Sequence, residues 1–343
     1  MLIFILRRLL NACILMLCIG LIGHWMIQNI PGSYDDMSRE EDAPDPEQTK
    51  NVKTILPLFY FGFIPEKKAD SIRAINSLMP EFKWNGTHNL YHRWLWHASE
   101  SLRDGIPVQQ KILRAIQWTM ALQIPAVLLI FVLGLWLAFL VTRSKNQKFR
   151  KFMDMGLTAL HAFPVFWFGS LLLIFFSNPD FFNWFPAIPE VGEGSDPLAL
   201  WMHQPTFWIL PIVALVFPSL AVIYNLFRKG LENAFQKRFW MRAKSSGISE
   251  LDGLRHELIP HAMIPVLAWI ASAVPFLISG SILIETIFSI PGSGRLLYNS
   301  IHYRDWPVVH GLFMLAAGMT LLGLLISDVC QRLMDPRLQQ GEA

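Results

Sequence analysis

An all-α integral membrane protein that crosses the bilayer six times is the fold class this sequence predicts, and three observations predict it. The 343 residues are 53% hydrophobic and only 16% charged, an apolar share above that of ordinary soluble domains. Six apolar runs are long enough to cross a hydrocarbon core of about 30 Å, which takes roughly 20 residues at about 1.5 Å per residue. Lys and Arg collect in alternate connecting segments, the asymmetry that marks a cytoplasmic face.

The runs extend approximately from Leu9 to Ile30, Trp118 to Val141, Met155 to Phe176, Phe207 to Phe227, Val266 to Phe288 and Val308 to Cys330. The first follows Arg7 and Arg8 and so resembles a signal peptide, whose apolar middle is about 7 to 15 residues long. It is longer than that, and no small-x-small cleavage site precedes Pro31-Gly32-Ser33. A retained span is expected.

Arg7 and Arg8 precede span one, and Arg143, Lys145, Lys148, Arg150 and Lys151 fill the link between spans two and three. Arg228, Lys229, Lys237, Arg238, Arg242, Lys244 and Arg255 lie between spans four and five, and Arg332 and Arg337 follow span six. All of these fall on one face, which places both termini in the cytoplasm. On the other face, the 177 to 206 loop has no Lys or Arg, and 289 to 307 has only Arg295 and Arg304. The organisation read from this is an N-terminal segment with the first span (1–30), a long extracytoplasmic loop (31–117), a core of five spans (118–338) and a short tail (339–343). Within the first loop, "SYDDMSREEDAPDPEQTK" is acidic and carries Pro, whereas "LPLFYFGFIP" and "YHRWLWHASES" are aromatic enough to pack. Cys13, Cys18 and Cys330 sit within or at the ends of spans. They imply neither a disulfide framework nor a metal site and read as small apolar side chains.

The loop 228–264 is the longest on the inward face and is ordered by its own sequence. Residues 239–246 contain no Pro or Gly and suit about two helical turns. Gly247 then supplies the left-handed residue that ends a helix. Ser249 with Asp252 gives the pattern that opens the next one, and Pro260 stops or bends it. The expected shape is an elbow that projects a short helix. The elbow alone leaves two readings open: a docking element for a soluble partner, or a folded loop lying on lipid headgroups.

The stretch "RAKSSGIS", with Ala243 and Gly247, resembles the coupling-loop signature of binding-protein-dependent ABC importer permeases, in particular the dipeptide, oligopeptide and nickel branch. Four further pieces agree in order: "RRLL" at Arg7, "FPVFWFGSLLL" from Phe163, "ETIFSIPGSGRLLYNSIHYRDWPVV" from Glu285, and "DPRL" from Asp335. The resemblance runs from Arg7 to Leu338 and is weakest over the 31–90 loop. Met241 and Arg242 stand where the broader motif has Glu-Ala, and Glu257 where this branch usually has His.

The resemblance implies a type I importer permease in the bacterial inner (cytoplasmic) membrane. Such a subunit binds no cofactor and hydrolyses no ATP itself. It pairs with a second permease, two separate ATPase subunits and an extracytoplasmic solute-binding protein that delivers a peptide, nickel or another small solute. The ATPase-coupling residues implied are Met241, Arg242, Ala243, Lys244, Gly247 and Ser249. Glu285 and Thr286 are candidates for the outer end of the path, although a carboxylate there also reads as an interfacial group near water. Tyr91, Trp94 and Trp96 offer rigid surface for the binding protein, or a headgroup anchor.

Other classes fit the residues poorly. No Gly-Lys pair occurs anywhere, so the chain lacks a phosphate-cradling loop of the Gly-x4-Gly-Lys type, and "PGSGR" at Pro291 reads as a turn before a helix. An intramembrane metalloprotease would use His256, Glu257 and His261, but those histidines are five apart with Pro260 between them, which does not bring two ligands to one helix face. A secondary transporter needs ionisable groups near the midplane, whereas His24, Glu285 and Asp328 lie away from span centres.

Overall fold

The computed structural model describes residues 2–28, 61–64, 81–84, 100–190, 196–238 and 281–334. In the stretch between, it describes 240, 245, 250–254, 258–267 and 269. Contacts divide the chain into two units. One comprises Met1–Cys13, Arg114–Tyr298 and Leu315–Ala343; the other comprises Ile14–Leu113 and Asn299–Met314.

Ten helices appear among the described residues: α1 (Leu2–Gln28), α2 (Val108–Arg143), α3 (Gln147–Ala162), α4 (Val165–Ser177), α5 (Pro197–His203), α6 (Ile209–Phe235), α7 (Glu250–Gly253), α8 (Ile282–Ile287), α9 (Ser293–His302) and α10 (Trp306–Met334). A short 3-10 turn, Pro205–Trp208, leads into α6, and residues 259–267 are also helical. Four helices are long and apolar enough to cross a membrane, namely α1, α2, α6 with its leading turn, and α10; the pair α3 and α4 adds a fifth if counted as one bent span. The expected fifth run, Val266 to Phe288, falls largely outside the described residues.

One expectation is corrected. The run Met155 to Phe176 is not one straight span, because α3 and α4 meet at a bend of 92°. Phe163 is extended (φ −74°, ψ 130°) and Pro164 follows it. A proline ring clashes with a helical predecessor and contributes no N–H, so the α3 ladder ends there. Within the long first loop, β1 (Phe61–Ile64) and β2 (Glu81–Trp84) form an antiparallel ribbon pairing Phe61 with Trp84 and Ile64 with Glu81. Span two also begins ten residues before Trp118. Gln109, Gln110, Lys111 and Arg114 interrupt the apolar pattern there without breaking the helix.

The core of the first unit is α6. Thirteen of its residues are buried, among them Leu210, Ala214, Ile223 and Tyr224. Neighbouring helices approach it through small residues. A side chain at Gly134 on α2 would place its Cβ 2.7 Å from Ile223, and one at Gly169 on α4 would meet Ile284 at 2.9 Å and Ala214 at 3.6 Å. Trp208 at the start of α6 is fully buried. Trp201 stacks on it at 5.2 Å and Trp118 at 6.1 Å, and the Trp201 indole donates to the Ala121 carbonyl. In this unit Arg8 on α1 also pairs with Asp328 on α10 at 3.0 Å.

In the second unit, residues 100–107 form a tight turn closed by a Glu100 to Pro107 bridge, with Gly105 at φ 67°. Asp305 holds this turn. Its buried carboxylate accepts from the Ser101 hydroxyl (2.5 Å) and the Leu102 N–H (3.1 Å), with the Lys111 ammonium at 3.7 Å. Burial works to raise the nearby Asp104 carboxyl. The Lys111 hydrogen bond at 2.7 Å, together with that from the Ile106 N–H, outweighs it and holds Asp104 below the usual aspartate value.

Candidate functional site

The two limbs of the expected elbow are fastened together at its base. After α6 ends, Lys237 N–H bonds to the Ala234 carbonyl and Trp240 N–H to the Lys237 carbonyl, which winds the outgoing limb into a tight turn. Trp240 then packs edge-on against Phe235 at 5.5 Å. On the returning limb, Leu254 and Leu258 are buried against Ala234, with Phe235 and Trp240 around them. Gly253 admits the indole: a Cβ there would lie 2.8 Å from the Trp240 ring.

A second fastening sits one turn deeper. A Cβ at Gly230 on α6 would fall 2.6 Å from the Ala262 carbonyl oxygen and 3.0 Å from its Cα, so the two backbones touch directly. Helix interiors disfavour glycine by about 1 kcal/mol relative to alanine. Close approach of the 259–267 helix accounts for it at this position. The two limbs are thus in contact at two levels. Met241, Arg242, Ala243, Lys244, Gly247 and Ser249 lie outside the described residues.

A charged cluster beside the base ties α6 to α3. Arg228 is only 15% exposed and bridges Asp154 on α3 to Glu232 one turn on, with Nε donating to Glu232 at 3.1 Å. The Tyr224 hydroxyl donates to Asp154 at 2.6 Å and accepts from Arg228 at 3.0 Å, and Arg150 reaches Glu232 at 3.5 Å. Further along the same contact, His161 Nδ1 donates to the Pro218 carbonyl at 2.8 Å. Two cations and two anions cancel, which is the condition for keeping ionised groups at a partly desolvated helix contact. Reading Arg228 only as one of many loop cations misses this. The Arg228 to Glu232 spacing of four was visible, but the partner on α3 was not.

Of the two path candidates, Glu285 is fully buried. Its carboxylate accepts from the Thr119 hydroxyl on α2 at 2.9 Å and from the Arg295 N–H in the first turn of α9 at 2.9 Å. Thr119 Oγ1 also accepts the Ser293 N–H at 2.8 Å. The chain reverses tightly between α8 and α9. Ser289 takes the left-handed conformation at φ 55°, Ile290 N–H returns to the Glu285 carbonyl and Ser289 N–H to that of Thr286. This is the glycine-type helix stop, here built with serine. Gly292 is dictated by the carboxylate, since a Cβ there would lie 2.4 Å from Glu285 Cδ, and Gly294 by the backbone at the start of α8, since a Cβ there would lie 2.8 Å from Ile282 N and 2.9 Å from its Cα. The "PGSGR" turn thus wraps an acid around the N-terminus of α9, where negative charge is favoured. Thr286 is exposed and returns its hydroxyl to the Ile282 carbonyl at 2.6 Å.

Tyr91, Trp94 and Trp96 lie outside the described residues, as do His256 and Glu257. Among the described residues, no group of three or more His, Cys, Asp or Glu side chains is placed to hold a metal ion.

Residues 130–340 match the family described as the binding-protein-dependent transport system inner membrane component. A peptidoglycan transport system permease protein of Agrobacterium fabrum is 35% identical over 182 residues, covering 52% of this chain and 50% of that protein. A probable peptide ABC transporter permease protein of Sinorhizobium fredii is 28% identical over 245 residues, 70% of this chain and 74% of that one. The dipeptide transport system permease protein of Escherichia coli is 26% identical over 303 residues, 81% and 87%. The aligned part thus spans half the length of the first of these relatives and most of the other two. The family match takes in α3, α4, α6, both limbs of the elbow and the Glu285 corner, and the chain belongs to the binding-protein-dependent transport system inner membrane components.

Proposed function

We propose that this chain is the membrane-spanning permease subunit of an ATP-driven peptide importer of the bacterial inner membrane, with both termini cytoplasmic. It forms the translocation path with a second permease, receives its solute from an extracytoplasmic binding protein and is driven by two separate ATPase subunits. The observation that carries this is the family match across 130–340, which takes in the whole segment between α6 and α8. Relatives named for peptide and dipeptide transport favour peptides over nickel or another small solute as the cargo.

In this reading the short helix around Ala243 is the coupling helix, seated in a groove of an ATPase subunit and ended by Gly247. ATP binding draws the two ATPase subunits together. An element held by one of them must follow, and the fastened limbs pass the motion to α6, and through Arg228 to α3. The path alternates between inward-open and outward-open, and hydrolysis resets it. Thr286, exposed beside the buried Glu285, is the side chain of that pair available to the outer path. Tyr91, Trp94 and Trp96 are the proposed contact for the binding protein.

The coupling step is tested at Gly247. A β-branched residue in a left-handed position costs on the order of 1 to 2 kcal/mol, too little to unfold the spans and enough to misaim a docked helix. Gly247→Val is expected to insert at normal levels, lose uptake, and leave ATP hydrolysis by the complex unresponsive to loaded binding protein. Ala243→Asp should do the same by forcing a charge into a packed groove, while Ser246→Ala should be mild. Normal uptake by Gly247→Val at normal expression would return the loop to the headgroup reading.

Orientation has its own test. In a background lacking Cys13, Cys18 and Cys330, single cysteines at Lys148 and Ser246 should resist an impermeant thiol reagent in whole cells, and one at Glu193 should react. Labelling at Lys148 from outside would invert the topology.

A further inference from the structure

The segment that follows α4 carries an aromatic structure that the transport reading does not use. Instead of running off the helix, the chain doubles back. Phe182 N–H bonds to the Phe175 carbonyl at 3.1 Å, and the N–H groups of Trp184 and Phe185 share the Phe176 carbonyl at 2.8 and 3.0 Å. Asn183 makes the reversal possible by taking the left-handed conformation at φ 46°, which asparagine tolerates better than most residues. The Asn178 side chain closes the entry to the turn by accepting the Asp180 N–H at 3.0 Å. Carbonyls that a helix end ordinarily leaves to water are thus satisfied by the hairpin, and the hairpin's own N–H groups by the helix.

The rings are arranged just as tightly. Phe181 meets Phe175 edge-on at 5.3 Å, Phe182 stacks on Phe176 at 5.6 Å, and Trp184 lies 4.8 Å from Phe182. They remain uncovered all the same: Phe181, Phe182 and Trp184 each expose more than half of their surface. That surface continues onto α4, where Ile174 and Phe175 are exposed. An exposed aromatic knob with fixed backbone bonds calls for an occupant that tolerates apolar rings beside polar groups.

We propose that residues 178–185 form an interfacial anchor, seated in the headgroup and upper acyl region of the phospholipid bilayer where α4 ends. Three observations select lipid. α4 has 13 residues and so rises only about 20 Å, short of a core of about 30 Å, and the hairpin prolongs its apolar surface past the last turn. Backbone groups bonded within the chain suit a depth where water is scarce. Phe, Trp, Asn and Asp interleaved over eight residues, with no Lys or Arg from 177 to 206, give the mixed character of aromatic belts, whose rings sit at headgroup level with their polar edges toward water. A protein covering these rings would also have to displace lipid from the exposed face of α4.

The test uses the full-length chain, in the complex it is purified with, reconstituted in phosphatidylcholine nanodiscs. Tryptophan emission is recorded for the native chain and for Trp184→Phe, and the difference isolates Trp184. Lipids brominated close to the headgroup should quench that difference about twofold more strongly than lipids brominated near the chain ends, and more strongly than aqueous iodide. Dominant quenching by iodide would place the indole in water. Dominant quenching by deep bromines would place it in the core, and protection from all three quenchers would mean that a protein surface covers it. Each of these three results overturns the anchor. Since Trp184→Phe keeps an aromatic ring, the comparison does not depend on disrupting the hairpin.

Discussion

Gly292→Ala is expected to remove uptake and lower the thermal stability of the assembled protein, although it adds a single methyl group. The new Cβ would fall 2.4 Å from Glu285 Cδ, 2.5 Å from Oε2 and 2.6 Å from Thr119 Oγ1. None of these can withdraw cheaply, because Glu285 and Thr119 are fully buried. Either the carboxylate gives up hydrogen bonds to Thr119 and Arg295, or the α8 to α9 reversal opens. Overpacking and the loss of charge-assisted hydrogen bonds together put the cost on the order of 3 kcal/mol. The second substitution Glu285→Ala should recover part of the loss by vacating the space, so that the pair is less damaging than the sum of its members. Strict additivity in thermal unfolding of the purified complex, or a silent Gly292→Ala, would show that the carboxylate does not fill that turn.

Gly230→Val should have an effect of similar size at the opposite end of the core. Its side chain would meet the Ala262 carbonyl oxygen, Cα and C at 2.6, 3.0 and 3.2 Å. All three are backbone atoms of the returning helix, so the two limbs must part. The expected result is a chain that is made and inserted but no longer hydrolyses ATP in response to loaded binding protein, because the limbs no longer move together. Gly156→Ala is the matched control. On α3, nothing lies within 4 Å of where that Cβ would stand, and removing a glycine from a helix interior should stabilise by about 0.5 to 1 kcal/mol. Equal behaviour of the two glycine variants in a coupled ATPase assay would sink the argument from close approach.

How much of this was legible in one dimension varies by element. Spans one, two, four and six are long apolar runs, and length alone finds them. The break inside the third run was written in the Phe163-Pro164 pair, but mostly apolar residues on both sides concealed it, since composition does not distinguish a straight helix from a bent one. The Glu285 corner was legible only as a string of residues. That the left-handed Ser289 turn and Gly292 make room for the Glu285 carboxylate, and that this carboxylate is held by Thr119, 166 positions earlier in the chain, appears only in three dimensions. The same limit hid Asp154, a lone acid among basic residues whose partners Tyr224 and Arg228 lie on α6. The ribbon pairing Phe61 with Trp84 joins two four-residue strands, too short to carry a strong local signal of their own.

The contact between α3 and α6 has a consequence for how the chain is made. Asp154 is synthesised 70 residues before Tyr224, the first of its two α6 partners. At about 5 to 20 residues per second, that is a delay of roughly 4 to 14 seconds. During that interval Asp154 and Arg150 on α3 lack their α6 partners, Tyr224, Arg228 and Glu232. The polar contact that ties α3 to α6 is therefore completed only after α6 has been made.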